Sequence, residues 1–377
     1  MIFIFYENII IKQIHNMNLT SVTINLNKEK RVLYNNIKHY GIAKNGIIYG
    51  GMVRDEIIAT HYRDVYDTYV RDNKISSAYQ NRYWDSTFHE ESNKRLIIPN
   101  DMDIYFDNNE NAELFIESIK AYSGQFSGGS VYIRDITRTN VALYLIGHNF
   151  SHKKVKMIFK LGRTIVFNGI RIEINIDMII NNSENRNNIE PPFNCADFSS
   201  NLFVMVKNYS GRYDIRLSKN TGTKLDDMNY VSKKRIEMDI INNLINGKTE
   251  FIRRSYDSIG EYINGMRILK MISREYPLSI TNILFKDVEN IDEIKVDQDC
   301  DICQSSVKSD YGKDGKIIEI NTNKCSKNYM HRCCFIQYLE KEINSRRFNE
   351  VSNCVECRCT RRNLFNFKES HKYSSLY

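Results

Sequence analysis

Eight of the nine cysteines fall between Cys300 and Cys359, and their spacing is that of metal ligands. The series reads Cys300-x-x-Cys303, Cys325, His331-x-x-Cys334 and Cys354-x-x-Cys357. A Cys-x-x-Cys turn offers two thiolates from one tight knuckle, and zinc asks for four soft or borderline donors at tetrahedral angles. Two terminal knuckles with a Cys and a His-x-x-Cys between them suit two zinc ions. So short a segment cannot bury a full core, so folding and metal uptake are expected to be one event. A secreted disulfide framework would spread its cysteines along the chain, whereas tight pairs in one tail point to metal. The expected compartment is therefore reducing and intracellular.

A second set of residues suits different chemistry. Asp101 and Asp103 stand at i and i+2 in DMDIYF, a strand candidate, so their carboxylates point to one face. In RIEINIDMII, Ile172, Ile174 and Ile176 face one way while Glu173, Asn175 and Asp177 face the other. With Asp177 on a neighbouring strand, three carboxylates can hold two Mg²⁺ ions around a triphosphate. Gly50 and Gly51 open the segment GGMVRD just before a helix start, where phosphates can approach backbone N–H groups.

These residues need elements to position them. Residues 28–40 have the apolar spacing of a helix, and 46–58 read as a short strand, a glycine turn and a helix start. Residues 101–106 are expected as a strand and 111–123 as a helix stopped by Gly124. Asn168-Gly169 between alternating runs signals a hairpin. From about 228 to 290 the pattern turns helical, and 287–299 reads as an acidic linker into the cysteine cluster. Phe335, Tyr338, Leu339 and Ile343 form a further helical stripe after the third ligand pair.

The fold class expected is α+β: a mixed sheet with helices, a helical middle region and a small C-terminal zinc finger. The expected organisation is a leader at 1–27, a head at 28–192, a mixed and helical region at 193–290, and the finger at 298–362. The 377 residues suffice for two or three cores. The net charge of +7 is spread along the chain and is weak evidence of any partner. Residues 60–98 lack a clean period and read as an insertion. There Tyr62, Tyr66, Tyr69, Tyr79, Tyr83 and Phe88 interleave with Arg63, Arg71 and Arg82, a mixture that can stack on and neutralise a nucleic-acid strand. His148 and His152 lie without a partner at ligand spacing and read as ordinary surface or loop histidines. The apolar run at the N-terminus is too short for a membrane span and carries no basic leader, so no membrane partner is expected.

Over residues 298–362 the cysteine pattern resembles the RING finger family. That resemblance implies cross-braced zinc binding, with Cys300, Cys303, His331 and Cys334 on one ion. Cys325, Cys354 and Cys357 would hold the second, with Cys359 or Cys333 as the open choices for its fourth ligand. Lys327 stands where the family commonly has a histidine, and Val355 where it often has a proline. RING fingers commonly act as ubiquitin ligases, which implies a ubiquitin-conjugating enzyme and a protein target as partners. Ile302 matches the apolar residue presented to that enzyme, and Arg358 the cation that bridges it to ubiquitin.

GGMVRD, the Asp101-x-Asp103 strand and Asp177 together resemble the polymerase-beta-like nucleotidyltransferases, above all the heads of CCA-adding enzymes and poly(A) polymerases. The resemblance covers roughly residues 30–180. It implies Mg²⁺ at Asp101, Asp103 and Asp177, an NTP with its phosphates at Gly50 and Gly51, and a turn braced by Arg54 and Asp55. In this chain 45 residues separate GGMVRD from Asp101. Such a head joined to a RING finger is similar to proteins of giant DNA viruses.

Overall fold

Alternation of apolar and polar residues builds the largest sheet. In the computed structural model, β2 (Asp101–Phe106) and β5 (Ile170–Asn181) lie side by side in parallel. Met102, Ile104, Ile172, Ile174 and Ile176 are buried on one face of the pair. The structure describes residues 19–72, 97–99, 101–126, 128–136, 150–161, 170–182, 190–193, 196–221, 223–252, 258–272, 278–281, 285–288, 294, 299–300, 303–308, 317–320 and 328–344. These fall into two units, Met1–Pro191 with Phe203–Arg216, and Pro192–Leu202 with Leu217–Tyr377.

The first unit holds a mixed seven-stranded sheet in the order β3-β4-β5-β2-β1-β6-β7. Its other strands are β1 (Ile47–Tyr49), β3 (Ser130–Asp135), β4 (Phe150–Leu161), β6 (Phe203–Lys207) and β7 (Tyr213–Leu217). This unit therefore reaches past residue 192, the boundary expected from the sequence, because Phe203–Lys207 pairs with β1. Among the described residues, three helices accompany the sheet: α1 (Leu19–Ala43), α2 (Gly51–Asp72) and α3 (Asn109–Gly124). Helix α1 starts at Leu19, inside the expected leader. Helix α2 runs on to Asp72, through part of the stretch taken as a periodless insertion; residues 73–96, with Tyr79, Arg82, Tyr83 and Phe88, lie outside the described residues.

Local chemistry explains the helix ends. Asn108 has extended backbone, and its side-chain oxygen accepts from Asn111 N–H at 2.8 Å, capping α3. Phe159 of β4 is buried against the α3 end, its ring 5.1 Å from Phe126 and 6.0 Å from Tyr122. Strands β4 and β5 pair antiparallel from Leu161↔Ile170 to Phe150↔Asn181. The expected hairpin is thus present as a strand pair, while the Asn168-Gly169 turn lies outside the described residues.

A buried ion cluster ties α1 to α2. Glu56 receives the Lys38 ammonium at 3.5 Å, Arg63 at 2.9 Å and Arg31 at 3.8 Å. Lys38 is itself almost wholly buried; it donates to Tyr213 Oη at 3.2 Å and lies 4.6 Å above that ring. Burial pushes the Glu56 carboxyl up, but Lys38, Arg63 and Arg31 outweigh it and hold the group below the ordinary carboxylate range.

The second unit has helices α4 (Tyr230–Ile245) and α5 (Ser258–Ile272), in the region expected to be helical. It also has a two-stranded parallel pair, β8 (Lys248–Thr249) with β9 (Ser279–Ile280). A three-stranded antiparallel sheet joins β10 (Phe285–Asp287), β11 (Ile317–Ile320) and β12 (Asn328–His331), and α6 (Arg332–Asn344) follows. The stretch taken as an acidic linker is therefore partly structural: Asp287 pairs with Ile318, and Ile294 is fully buried. No helix among the described residues is long and apolar enough to cross a membrane.

Candidate metal centre and carboxylate face

The first knuckle is shaped by its backbone. Gln304 N–H donates to Cys300 C=O at 2.8 Å, and Cys300 N–H donates to Ser305 C=O at 2.8 Å. Gln304 takes the left-handed conformation, φ +59, which closes the turn. The second donor pair comes from a strand-to-helix junction. His331 ends β12 in register with Ile317, and Cys334 sits three residues on, in the first turn of α6.

These two pairs meet. Donor atoms of Cys300, Cys303, His331 and Cys334 all lie within 4.8 Å of one another. His331 Nδ1 is 3.2 Å from Cys303 Sγ and 3.9 Å from Cys334 Sγ. Tetrahedral zinc with bonds of ordinary length sets its donors about 3.5–3.8 Å apart, so the group needs little adjustment to close on an ion. Three sulfurs and one imidazole nitrogen are a donor set compatible with Zn²⁺. Nδ1 is the inward-facing nitrogen, while Nε2 is buried with no hydrogen-bond partner among the described residues.

Burial raises the Cys303 thiol, but hydrogen bonds from Ser305 and His331 outweigh it and bring the group down to about 7. Cys334 is pushed up, first by burial and then by the neighbouring Cys300. A metal ion must therefore displace a proton at Cys334, since only the thiolate ligates. Cys333, one of the open choices for a second ion, lies beside Cys334 on α6 and is not in the four-donor group. Cys325, Cys354, Cys357, Cys359, Ile302 and Arg358 lie outside the described residues.

In the first unit the sheet brings the carboxylate set into register. Asp103 pairs with Asp177 across the parallel β2–β5 ladder, Asp101 with Asn175, and Tyr49 of β1 with Asp103 from the other side. Asp101, Asp103 and Asp177 thus share one face, opposite Met102, Ile104 and Ile176. Gly50 follows at φ +72, so close that an added Cβ would stand 2.8 Å from Asp103 Oδ2. Gly51 then begins α2, whose first N–H groups have no partner within the helix and suit an anion. Arg54 and Asp55 are buried and pair with each other at 2.7 Å.

Asp177 already has basic neighbours. Lys154 Nζ is 3.5 Å and His152 Nε2 3.8 Å from its Oδ1. Burial raises the Asp177 carboxyl, but His152 and Lys154 more than reverse this and leave it below the usual range. His152, read from the sequence as a surface or loop residue, is on β4 with its side chain 10% exposed. Its significance comes from the β4–β5 register, which no local spacing reveals. Among the described residues the close donor group is the Cys/His cluster, so the sheet aligns Asp101, Asp103 and Asp177 on one face without drawing their carboxylates into a comparable group. An ion reaching Asp177 must displace Lys154.

Comparison with known proteins finds no matching family model, no matching curated relative and no matching solved structure.

Proposed function

We propose that the C-terminal unit is a zinc-dependent, RING-like interaction module that recruits a ubiquitin-conjugating enzyme, with the first unit selecting the protein target. The observation that carries this reading is the meeting of the first and third ligand pairs, Cys300/Cys303 with His331/Cys334, across the intervening Cys325. That is the ligand sharing expected of a cross-braced finger. Zinc held there would be structural, because four protein donors leave no open coordination position. The experiment is self-ubiquitination of the full chain with a panel of conjugating enzymes. A ladder that disappears in Ile302→Ala, with zinc content unchanged, supports the proposal. No ladder from zinc-loaded protein, or one indifferent to Ile302→Ala, removes the ligase.

A second reading is favoured by one specific observation, the register of Asp103 with Asp177 beside Gly50. It makes the first unit a Mg²⁺-dependent nucleotidyltransferase acting on RNA, protein or a small acceptor, with the finger as its docking module. Asp101 and Asp103 would hold the ion, and the N-terminus of α2 the triphosphate. Magnesium there would neutralise the phosphates during transfer. Labelling of an acceptor from an NTP, lost in Asp101→Asn/Asp103→Asn, supports this reading; labelling that survives excludes the site.

A further inference from the structure

Strands β3 and β4 form the edge of the seven-stranded sheet beside β5, and the side chains they add to the carboxylate face are of one sign. Register places Arg134 opposite Lys154, and Lys154 opposite Asp177. The next row runs Tyr132, Lys156, Asn175, and a further row pairs Lys160 with Arg171. Among the described residues, neither edge strand adds a carboxylate to this face. Glu173 of β5 answers Lys156 at 2.7 Å and Arg171 at 2.6 Å, and Asp177 answers Lys154. Arg134 and Lys160 have no carboxylate within ion-pairing distance among the described residues, so the edge keeps a positive excess. Lys154, Lys156 and Arg171 keep 56%, 44% and 58% of their side-chain area in solvent.

Tyr132 stands among these cations, with 59% of its surface exposed. An exposed ring on a sheet, flanked by cations on the same face, fits an unpaired base stacked on the ring with phosphates running between the basic rows. A duplex would keep its bases away from the ring. A membrane surface would call for exposed apolar residues to insert, and Ile158 on this face is buried. The row from Arg134 through Lys154 to Asp177 and Asp103 crosses four adjacent strands, a Cα span of about 14 Å at ordinary strand spacing. A strand lying along it ends at the carboxylates.

We propose that the β3–β4–β5 face binds single-stranded nucleic acid through Arg134, Lys154, Lys156, Lys160 and Arg171, with Tyr132 as its stacking platform. This rests on charge and register alone and holds whether or not the carboxylates take a metal. The test is fluorescence anisotropy of the full chain with a labelled 20-nucleotide oligo(U), across a salt series. Arg134→Ala/Lys160→Ala should reduce the steepness of the salt dependence by about 0.7 unit per cation, the value for a single strand. Tyr132→Ala should weaken binding about tenfold at unchanged slope, the loss of one stacked base. Circular dichroism melts of both variants should match the parent, since the altered side chains are on the surface. Unchanged affinity and slope in both variants overturn the proposal. So does duplex RNA binding as tightly as single strand, or capture by anionic vesicles without oligonucleotide binding.

Discussion

Gly50 is packed against Asp103: a Cβ at position 50 would stand 2.8 Å from Asp103 Oδ2, and the backbone there holds φ at +72. Only glycine meets both demands without strain. Gly50→Ala is expected to cost about 1–2 kcal/mol for the left-handed conformation alone. It should also push the Asp103 carboxylate from its place beside Asp177. Urea denaturation checks the first effect, and a midpoint equal to that of the parent would contradict it.

Lys154 competes with any divalent ion for Asp177. Replacing it by alanine removes the ammonium 3.5 Å from Oδ1 and leaves the His152 imidazole, its Nε2 3.8 Å away, as the remaining basic neighbour. The expected result is Mn²⁺ affinity raised about two- to fivefold, the scale of one partly exposed charge pair. Isothermal titration of parent and Lys154→Ala decides this. Equal affinities would mean that Asp177 takes no part in binding the ion.

Glu56 makes stability fall in acid. Its folded-state carboxyl is lowered from an ordinary value near 4.5, so its contribution is fully present above that pH. It is lost as pH falls through the lower folded value, when the proton leaves Lys38, Arg31 and Arg63 without their counter-charge. Glu56→Gln should destabilise the first unit by about 3–5 kcal/mol at neutral pH, since it strands the buried Lys38. The same variant should flatten the acid limb below pH 4.5. Melting temperatures of parent and variant between pH 3 and 7 test both, and parallel curves would contradict the assignment.

Much of this architecture was legible because local pattern and tertiary packing agree. Residues 101–104 and 171–177 alternate cleanly and lie in strands with the buried face that the alternation implies, while Tyr105, Phe106 and Met178, Ile179 and Ile180 after them are buried on both faces. Gly50 was legible as a turn because positive φ and close approach both ask for glycine. The His331-x-x-Cys334 spacing was legible as a donor pair because three residues span the turn from strand end to helix start. What stayed hidden depends on contacts between distant segments. Nothing near His152 or Lys154 in the sequence announces that β4 lies against Asp177. Arg63 and Tyr66 looked like an irregular insertion because α2 spends its polar residues on ion pairs such as Arg63–Glu56 rather than on an even solvent face. Phe203–Lys207 reads as part of a later region because sequence distance does not show that it pairs beside β1, inside the sheet.

The most direct measurement of the central claim is metal content with cobalt substitution, on the full chain and on Cys334→Ser. The account predicts that the parent retains zinc and that the cobalt form shows the intense visible bands of a tetrahedral thiolate-rich site. Cys334→Ser should lose one equivalent of metal and the associated charge-transfer absorption. Zinc content and cobalt spectrum identical in parent and variant, or a parent that retains no metal, would contradict a metal centre at Cys300, Cys303, His331 and Cys334.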